Sequence, residues 1–356
     1  MKIYQIVTAL GYGDAVGNNI IALMDALRQE GYETGVYAET IDVRIGNINI
    51  GLIQDMPLMK KEDIIIYHLA TGAELNYSIV KYSCRKILVY HNITPPHFFL
   101  PYNEQVARNC EYGLEGTKFL VNKVDYCLAD SAYNKKDLES MGSQTDIDVL
   151  PILVKFEDYN KTPDVALMKW LDDGFINLLF VGRIAPNKKQ EDVIAAYAYY
   201  KKHYNPNSRL ILAGSYDGME NYYLKLKAYI GANEIDDVIF TGHIRFSEVL
   251  AYYRSAHVFL CMSEHEGFCV PLVEAMFFQV PIIAYASTAV PETLDRAGVL
   301  MKEKNPLLAA GLINRICLDK EMKKKLIECQ RERLNDFLAD TIKREFINDI
   351  KRFIGE

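Results

Sequence analysis

Two glutamates on either side of a proline are the residues of this sequence best suited to chemistry. Glu266 and Glu274 have seven residues between them, and Pro271 is well suited to the first turn of a helix. Glu274 then falls among apolar helix residues, where a buried carboxylate is costly without polar partners. The hydroxyls of a ligand, such as a ribose diol, would supply such partners; the alternative is a carboxylate on a solvated helix face.

The residues between the two glutamates favour a ligand. Gly267 permits close approach of the backbone, and the N–H groups of the residues that follow it point out of a helix N-terminus, which attracts anions. These following residues are Phe268, Cys269 and Val270. The segment therefore offers a carboxylate for sugar hydroxyls, a cradle for phosphate and a second carboxylate for a ribose.

A basic loop provides the complementary charge. Gly182 and Arg183 follow the apolar run 177–181, and Lys188 comes five residues after Arg183. Ligands of open α/β sheets bind at the carboxyl ends of strands, and arginine is well shaped for bidentate phosphate contact. The alternative is an ordinary solvated basic loop.

The elements that must position these residues alternate between strand and helix along the whole chain. Near-continuous apolar strands with helices between them indicate parallel sheets covered on both faces, the α/β class. The predicted strands are 2–8, 34–38, 63–68, 86–91, 126–129, 148–150, 177–181, 209–213, 238–240, 257–260 and 281–284. The pattern loosens at 155–174, so we expect domains at 1–160 and 174–339, with 340–356 as a terminal amphipathic helix.

Composition narrows the function classes. The 356 residues carry a net charge of -7, which argues against non-specific binding of nucleic acid. The seven cysteines include no close pair of the kind used by structural zinc sites, which fits a reducing compartment. Without a signal peptide or a long apolar run, we expect a cytoplasmic protein.

The motifs resemble those of the retaining glycosyltransferases of family 4, whose fold is called GT-B. The matching runs are Tyr253–Leu260, the sequence EHEGFCVPLVEAM at 264–276, Val290-Pro291-Glu292, and Val181-Gly182-Arg183 with Lys188. The resemblance implies two Rossmann-like parallel-sheet domains facing a central cleft, with the C-terminal helix 340–356 crossing back to the first domain.

The resemblance also implies roles. Glu266 would contact donor-sugar hydroxyls, Glu274 would hold the nucleotide ribose, and the diphosphate would lie against the basic loop and the backbone after Gly267. In the first domain, the loop Gly11-Tyr12-Gly13 with Gly17 would approach the donor, and His91 would lie near the reactive carbon. The expected catalytic residues are Arg183, Lys188, Glu266 and His91. The expected nucleotide-sugar residues are Gly13, Gly182, Arg183, Lys188, Gly242, Glu266, Gly267, Phe268, Cys269, Val270 and Glu274.

Three positions depart from the family pattern. Cys269 stands where a second glycine is common, Lys189 replaces a glycine after the phosphate lysine, and Ala289 precedes the Pro-Glu turn in place of a glycine. A Cβ at position 269 narrows the pocket near the sugar, so the identity of the donor sugar is left open.

The expected reaction is transfer of a sugar from a nucleoside diphosphate sugar with retention at the anomeric carbon. UDP-sugars are favoured and GDP-sugars come next, with no separate cofactor and no metal; Asp146 and Asp148 have the spacing of a metal pair but read as a strand edge. The acceptor would be a saccharide or a lipid-linked saccharide of cell-surface polysaccharide synthesis. The aromatic loop 91–103 either packs or touches lipid at the inner face of the membrane.

Three other interpretations stay open. Gly11-x-Gly13-x-x-x-Gly17 approximates a dinucleotide fingerprint, which would make the chain an oxidoreductase but would leave the second-half motifs unexplained. A sugar-nucleotide epimerase with the same fold is a second interpretation, and a non-catalytic sugar-nucleotide-binding partner is a third.

Overall fold

The chain folds as two compact units. The computed structural model describes residues 1–11, 13–46 and 49–356. The first unit comprises Met1–Pro96, Ala107–Lys155 and Phe337–Glu356, and the second comprises His97–Val106 and Phe156–Asp336. The short segment 97–106 therefore belongs to the second unit, although it lies within the range expected for the first domain.

The first unit is built on a parallel sheet of seven strands, in the order β3-β2-β1-β4-β5-β6-β7. Its strands are β1 (Lys2–Leu10), β2 (Glu33–Ile41), β3 (Ile50–Leu52), β4 (Ile64–Leu69), β5 (Arg85–Tyr90), β6 (Tyr126–Ala129) and β7 (Ile147–Val149). Every residue of β4 is buried, as expected for a central strand covered by helices on both faces.

Helices cover this sheet, and the last helix of the chain is one of them. They are α1 (Ala15–Gln29), α2 (Leu75–Ser78), α3 (Glu104–Leu120), α4 (Ala132–Ser140) and α13 (Ala339–Ile354), with α3 beginning in the segment of the second unit. The apolar face of α13 places Ile342, Phe346 and Ile350 in one core with Leu23 and Leu27 of α1. The predicted return of the C-terminal helix to the first domain is confirmed.

The second unit is built on a parallel sheet of six strands, in the order β10-β9-β8-β11-β12-β13. Its strands are β8 (Ile176–Val181), β9 (Ser208–Ala213), β10 (Val238–Phe240), β11 (Val258–Cys261), β12 (Ile282–Tyr285) and β13 (Val299–Met301). Its helices are α5 (Val165–Leu171), α6 (Gln190–His203), α7 (Glu220–Ala232), α8 (Phe246–Ser255), α9 (Val270–Phe277), α10 (Val290–Leu294), α11 (Pro306–Leu318) and α12 (Lys320–Leu334).

The strand order of the second unit reverses between β8 and β11. From β8 the chain moves outward to β9 and β10, and then returns to pair β11 on the other side of β8. The loops after β8 and β11 therefore leave the same edge of the sheet in opposite directions, which opens a crevice at the carboxyl ends of the strands. The first unit has the same reversal between β1 and β4.

None of the helices in the described ranges has the length and apolar character needed to cross a bilayer.

Candidate functional site

The loops after β8 and β11 meet at the strand-order reversal of the second unit. The Lys188 ammonium donates a hydrogen bond of 2.5 Å to a carboxylate oxygen of Glu266. Asn187 joins the same two loops, because its side-chain amide donates to the carbonyl of His265 and its own carbonyl accepts from the N–H of Glu264. Two of the predicted site residues, 78 positions apart in the chain, are thus in direct contact.

The ion pair of Lys188 and Glu266 is largely withdrawn from water, with side chains 22% and 8% exposed. Burial opposes the charge of the ammonium, but the Glu266 carboxylate outweighs it, so the pKa of Lys188 is raised. Desolvation makes such a pair costly to break on one side only. In this structure the lysine therefore carries its charge and is held beside the carboxylate.

A second group of charges fixes the start of the β11 loop. The Glu264 carboxylate accepts a hydrogen bond of 2.7 Å from Lys304 and faces the Lys189 ammonium at 3.2 Å. Burial opposes the carboxylate, yet the two lysines hold the pKa of Glu264 below its usual range. Lys189 also has a left-handed backbone, with φ 53°, at a position where the family resemblance favours glycine.

Three glycines line the carboxyl ends of β8, β9 and β10. Gly214 follows β9 so closely against β8 that a Cβ there would meet the carbonyl oxygen of Gly182 at 2.0 Å. Gly242, which follows β10, forms a backbone bridge with Gly214. At these three positions the edge beside the basic loop therefore carries no side chain. Gly182 and Gly242 were predicted site residues, whereas Gly214 carried no motif that would have identified it.

Arg183 extends from this edge into solvent. It is an exposed residue, and its guanidinium donates to the carbonyl of Asp217 at 3.0 Å. Its own carbonyl accepts from the side-chain amide of Gln190 in the first turn of α6. The contact with Asp217 occupies one of the donors in the guanidinium fork, so the arrangement is compatible with binding an anion at the sheet edge.

Glu274 lies on α9 between two tyrosine hydroxyls. Tyr253 donates to one carboxylate oxygen at 2.7 Å, and Tyr159 donates to the other at 2.7 Å. Burial raises the pKa of Glu274, while the two hydrogen bonds act in the opposite direction. Each carboxylate oxygen can accept more than one hydrogen bond, so each can still accept one from a ligand hydroxyl. Tyr159 lies in the stretch that the sequence indicated only as a domain boundary.

The turn between the two glutamates is held by threonines. The N–H of Glu266 donates to the hydroxyl of Thr288 at 2.8 Å, and the hydroxyl of Thr293 donates to the carbonyl of Phe268 at 2.6 Å. Cys269 caps the N-terminus of α9 with φ 73°, again left-handed where glycine is common. Gly267 and Val270 are partly exposed on either side, so the start of α9 is not fully covered by protein.

His91 follows β5 in the first unit and belongs to a buried chain of hydrogen bonds. The Gln5 amide nitrogen donates to the carbonyl of Ile20, so its oxygen accepts from Nε2 of His68 at 2.8 Å. Burial lowers the pKa of His68 well below its usual range, which leaves Nδ1 as an acceptor for Nε2 of His91 at 2.9 Å. Nδ1 of His91 lies 2.9 Å from the carboxylate of Asp130.

Both ring nitrogens of His91 are thus occupied, and its side chain is 1% exposed. In this arrangement the ring has no nitrogen with which to take a proton from a ligand. A contact between a ring nitrogen of His91 and a ligand would therefore require these hydrogen bonds to rearrange, and the predicted role of His91 beside a reactive carbon stays a prediction.

The glycine loop after β1 is described only in part. Tyr12 lies outside the described residues, so the predicted approach of this loop to a donor stays a prediction. Gly13 has φ 78°, and the neighbouring Asp14 caps α1 by accepting from the N–H of Gly17 at 2.5 Å. A Cβ at Gly17 would lie 2.8 Å from the carbonyl of Gly11, so close packing accounts for that glycine.

Part of the second unit is similar to a known protein family. Residues 170–333 match the model of the family described as glycosyl transferases group 1. The matched stretch contains β8, β11 and α9, and with them every candidate residue of the second unit. It makes up just under half of the chain.

Curated relatives match parts of the chain. A GDP-mannose-dependent alpha-mannosyltransferase of Mycolicibacterium smegmatis is 33% identical over 115 residues, which cover 32% of this chain and 27% of that protein. The O-antigen chain mannosyltransferase B of Escherichia coli is 29% identical over 122 residues, covering 34% and 32%. The alpha-monoglucosyldiacylglycerol synthase of Acholeplasma laidlawii is 30% identical over 189 residues, covering 51% and 43%. The chain thus matches less than half the length of each of these relatives.

Solved structures match the whole chain. The sucrose-phosphate synthase of Thermosynechococcus elongatus superposes with a TM-score of 0.79 at 18% identity, over 100% of both chains. HepE of Anabaena, in a complex with UDP-glucose, gives 0.76 at 16% identity, over 99% of this chain and 100% of that one. At these identities the likeness shows the fold. The predicted α/β fold of GT-B type, with two Rossmann-like parallel-sheet domains, is confirmed.

Proposed function

We propose that the protein is a retaining glycosyltransferase that moves a sugar from a nucleoside diphosphate sugar to a saccharide or lipid-linked acceptor. The observation that carries the proposal is the contact of Lys188 with Glu266 at the strand-order reversal of the second unit. The contact brings together a cation that would bind phosphate and a carboxylate that would bind sugar hydroxyls, at the edge where α/β sheets bind ligands. The family match of residues 170–333 supports the same activity.

Donor binding would exchange the partners of the ion pair. The diphosphate would take over the Lys188 ammonium, and the hydroxyls of the donor sugar would take over the Glu266 carboxylate. Neither charge would then be left buried without a partner, which is the costly alternative. Arg183 and the partly exposed start of α9 would add to the same anion site, since a helix N-terminus favours negative charge.

Leaving-group stabilisation would be the main catalytic effect. As the bond to the sugar breaks, negative charge would grow on the diphosphate, and Lys188, Arg183 and the N–H groups after Gly267 would stabilise it. Such preorganised electrostatics is often the largest contribution to catalysis. With this charge supplied by the protein, the proposed reaction needs no metal ion and no separate cofactor.

Retention would follow from attack on the face of the sugar that the diphosphate leaves. The departing phosphate would accept the proton of the acceptor hydroxyl, so a protein base is not required. The two bonded ring nitrogens of His91 fit this scheme, because neither is free to contact the acceptor hydroxyl. His91 would orient the sugar, and that role stays a prediction.

Glu274 would hold the ribose of the nucleotide. Its two tyrosine donors fix the direction of the carboxylate, and the remaining lone pairs would accept from the ribose diol. We place UDP-sugars first and GDP-sugars second. HepE is similar in fold and was solved with UDP-glucose, whereas the mannosyltransferase relative is GDP-mannose-dependent.

The proposed acceptor belongs to cell-surface polysaccharide or glycolipid synthesis at the inner face of the membrane. The similarity to an O-antigen chain mannosyltransferase and to an alpha-monoglucosyldiacylglycerol synthase supports this proposal. The segment 97–106 gives less support to direct lipid contact, because Tyr102 packs edge-on against Tyr222 and Asn103 donates to the carbonyl of Gly218. Leu100 is the exposed apolar side chain of that segment, at 61%.

A substitution series tests the electrostatic assignment. Arg183→Ala and Lys188→Ala should each lower turnover by about 10²-fold, the size typical of removing one preorganised donor. Lys201→Ala is the matched control, since Lys201 pairs with Asp237 beside the amino end of β9 in the same unit. Near-normal turnover in both test variants would contradict the assignment.

A thermal-shift panel of UDP-, GDP-, dTDP- and ADP-sugars tests the donor, because a ligand that binds the native state raises the melting temperature. Stabilisation by one nucleotide class, followed by an acceptor-dependent product with retained configuration, is the expected result. Conversion of the donor without any acceptor would instead indicate an epimerase. Binding without transfer or hydrolysis would indicate a non-catalytic partner, and a response to a nicotinamide cofactor would indicate an oxidoreductase.

A further inference from the structure

Two cysteines and a glutamate lie together beneath the loop between β11 and α9. The Sγ atoms of Cys261 and Cys269 are 3.9 Å apart. Each Sγ also lies within 4.8 Å of a carboxylate oxygen of Glu266. All three residues are buried, with exposures of 2%, 7% and 7%. Cys261 ends β11 and Cys269 caps α9, so regular elements at both ends of the loop hold the two sulfurs in place.

The distance between the two sulfur atoms fits two ligands of one metal ion better than it fits a disulfide bond. In a tetrahedral zinc site with Zn–S distances of about 2.3 Å, two sulfur ligands lie about 3.8 Å apart. A disulfide would require about 2.05 Å. The observed 3.9 Å therefore matches the edge of a tetrahedron without any movement of the backbone.

We propose that Cys261, Cys269 and Glu266 form a binding site for a thiophilic divalent cation such as Zn²⁺ or Cd²⁺. Two thiolates and one carboxylate are ligands that zinc accepts in proteins, and three protein ligands leave a fourth position open. Soft sulfur ligands select against Mg²⁺ and Ca²⁺, which prefer oxygen. Binding would release protons, because cysteine ligates as the thiolate.

Lys188 already supplies a cation at this site. Its ammonium lies 2.5 Å from the Glu266 carboxylate. A divalent ion and the ammonium would therefore compete for one buried carboxylate. The cation is accordingly an inhibitor in this scheme, since it takes Glu266 from Lys188 and, if the proposed function holds, from the donor sugar.

The first test uses the metal alone. Chelator-treated protein is titrated with Cd²⁺, and thiolate-to-cadmium charge transfer is followed in the ultraviolet. One equivalent should give the band in the wild type, and Cys261→Ser/Cys269→Ser should abolish it. Cys317→Ser/Cys329→Ser is the matched control in the same unit and should keep it. No band in the wild type, or a band that survives loss of Cys261 and Cys269, would overturn the proposal.

The second test changes the other two side chains in opposite directions. Glu266→Gln removes a ligand and should weaken Cd²⁺ binding roughly tenfold or more, the lower end of the effect of disturbing a metal site. Lys188→Met removes the competing charge and should strengthen it by about as much, because a buried carboxylate without a partner favours any cation. A misfolded variant would not bind Cd²⁺ more tightly, so stronger binding by Lys188→Met cannot result from misfolding. Weaker binding in this variant would overturn the competition.

The third test separates this inference from the proposed function. The thermal shift produced by a sugar nucleotide is measured with and without saturating Zn²⁺. Loss of the shift in the wild type, but not in Cys261→Ser, would support competition at the shared carboxylate, and an unchanged shift in the wild type would refute it. If no sugar nucleotide binds even without Zn²⁺, the proposed donor site fails while the cadmium result stands by itself.

Discussion

Lys188 donates a hydrogen bond of 2.5 Å to Glu266, and this pair joins the loop after β8 to the loop after β11. The two side chains are 22% and 8% exposed, so each charge depends on the other for most of its compensation. The contact thus connects local stability with ligand binding: a ligand that separates the pair must offer a negative group to the lysine and hydroxyls to the glutamate.

The pair should show strong energetic coupling. Lys188→Met and Glu266→Gln should each lower the free energy of unfolding by about 2–4 kcal/mol, because one buried charge or polar group is left without its partner. The double variant should be destabilised by less than the sum, with a coupling energy of about 1–3 kcal/mol. Urea unfolding of the four proteins measures both quantities.

A surface pair provides the comparison. Lys324 and Glu328 lie four residues apart on α12, with side chains 69% and 53% exposed. The same double-mutant cycle there should give only about 0.3–0.5 kcal/mol. Equal coupling at the two pairs would show that burial of the Lys188–Glu266 contact does not strengthen it.

Removal of a tyrosine hydroxyl beside Glu274 should destabilise the second unit. Tyr253→Phe or Tyr159→Phe removes a hydrogen bond to a charged group, with an expected loss of about 1.5–3 kcal/mol in the free energy of unfolding. Burial raises the pKa of Glu274 and the hydroxyls lower it, so either variant should raise that pKa further. The loss should shrink as the pH falls and the carboxyl group takes up a proton.

Tyr252→Phe is the control for this series, since it removes a hydroxyl from the preceding residue of α8 and leaves both donors of Glu274 in place. Unfolding curves at several pH values separate the three variants. An equal loss in Tyr252→Phe would show that the hydrogen bonds to Glu274 are not the cause.

His265 should make stability depend on acidity. Burial lowers the pKa of its ring to about 4, whereas an unfolded histidine titrates near 6.5. Between these values only the unfolded state binds the proton, so stability is lost as the pH falls below about 6.5. From pH 7 to pH 5 the wild type should lose about 2 kcal/mol more than His265→Gln. Parallel pH profiles of unfolding for the two proteins would contradict this.

Much of the second unit could be predicted because its signals are local in the sequence. Runs of apolar residues marked β8 and β11, and parallel strands place their carboxyl ends at one edge of a sheet. That rule, together with the family resemblance, placed Lys188 and Glu266 in one predicted site. The strands β3 and β13 were not predicted, and each lies at the edge of its sheet, where it pairs with a single neighbouring strand.

Side-chain partners could not be predicted, because they depend on packing in space. His91 and His68 both end apolar runs, and nothing in the sequence shows that their rings bond each other at 2.9 Å. Tyr159 similarly comes from a stretch of mixed composition, yet its hydroxyl bonds Glu274. Cys261 and Cys269 do not form a close pair in the sequence, and only the fold shows that their sulfurs are adjacent.

Two of the three departures from glycine should behave differently when glycine is restored. Lys189 has φ 53°, so Lys189→Gly removes left-handed backbone strain of about 1 kcal/mol. The same change removes the partly exposed ion pair with Glu264, which contributes up to about 1 kcal/mol. Its unfolding free energy should stay within about 1 kcal/mol of the wild type. Ala289 instead has φ -82° and a fully buried side chain. Ala289→Gly adds chain entropy and a small void, and should cost about 1–2 kcal/mol.

Denaturant unfolding of Lys189→Gly and Ala289→Gly, measured side by side, decides whether backbone conformation governs these positions. Ala289→Gly should be the less stable variant, because its backbone has no left-handed strain for glycine to relieve. A greater loss of unfolding free energy in Lys189→Gly would mean that the contact of Lys189 with Glu264 outweighs the backbone strain. That lysine would then stabilise the β11 loop through this contact.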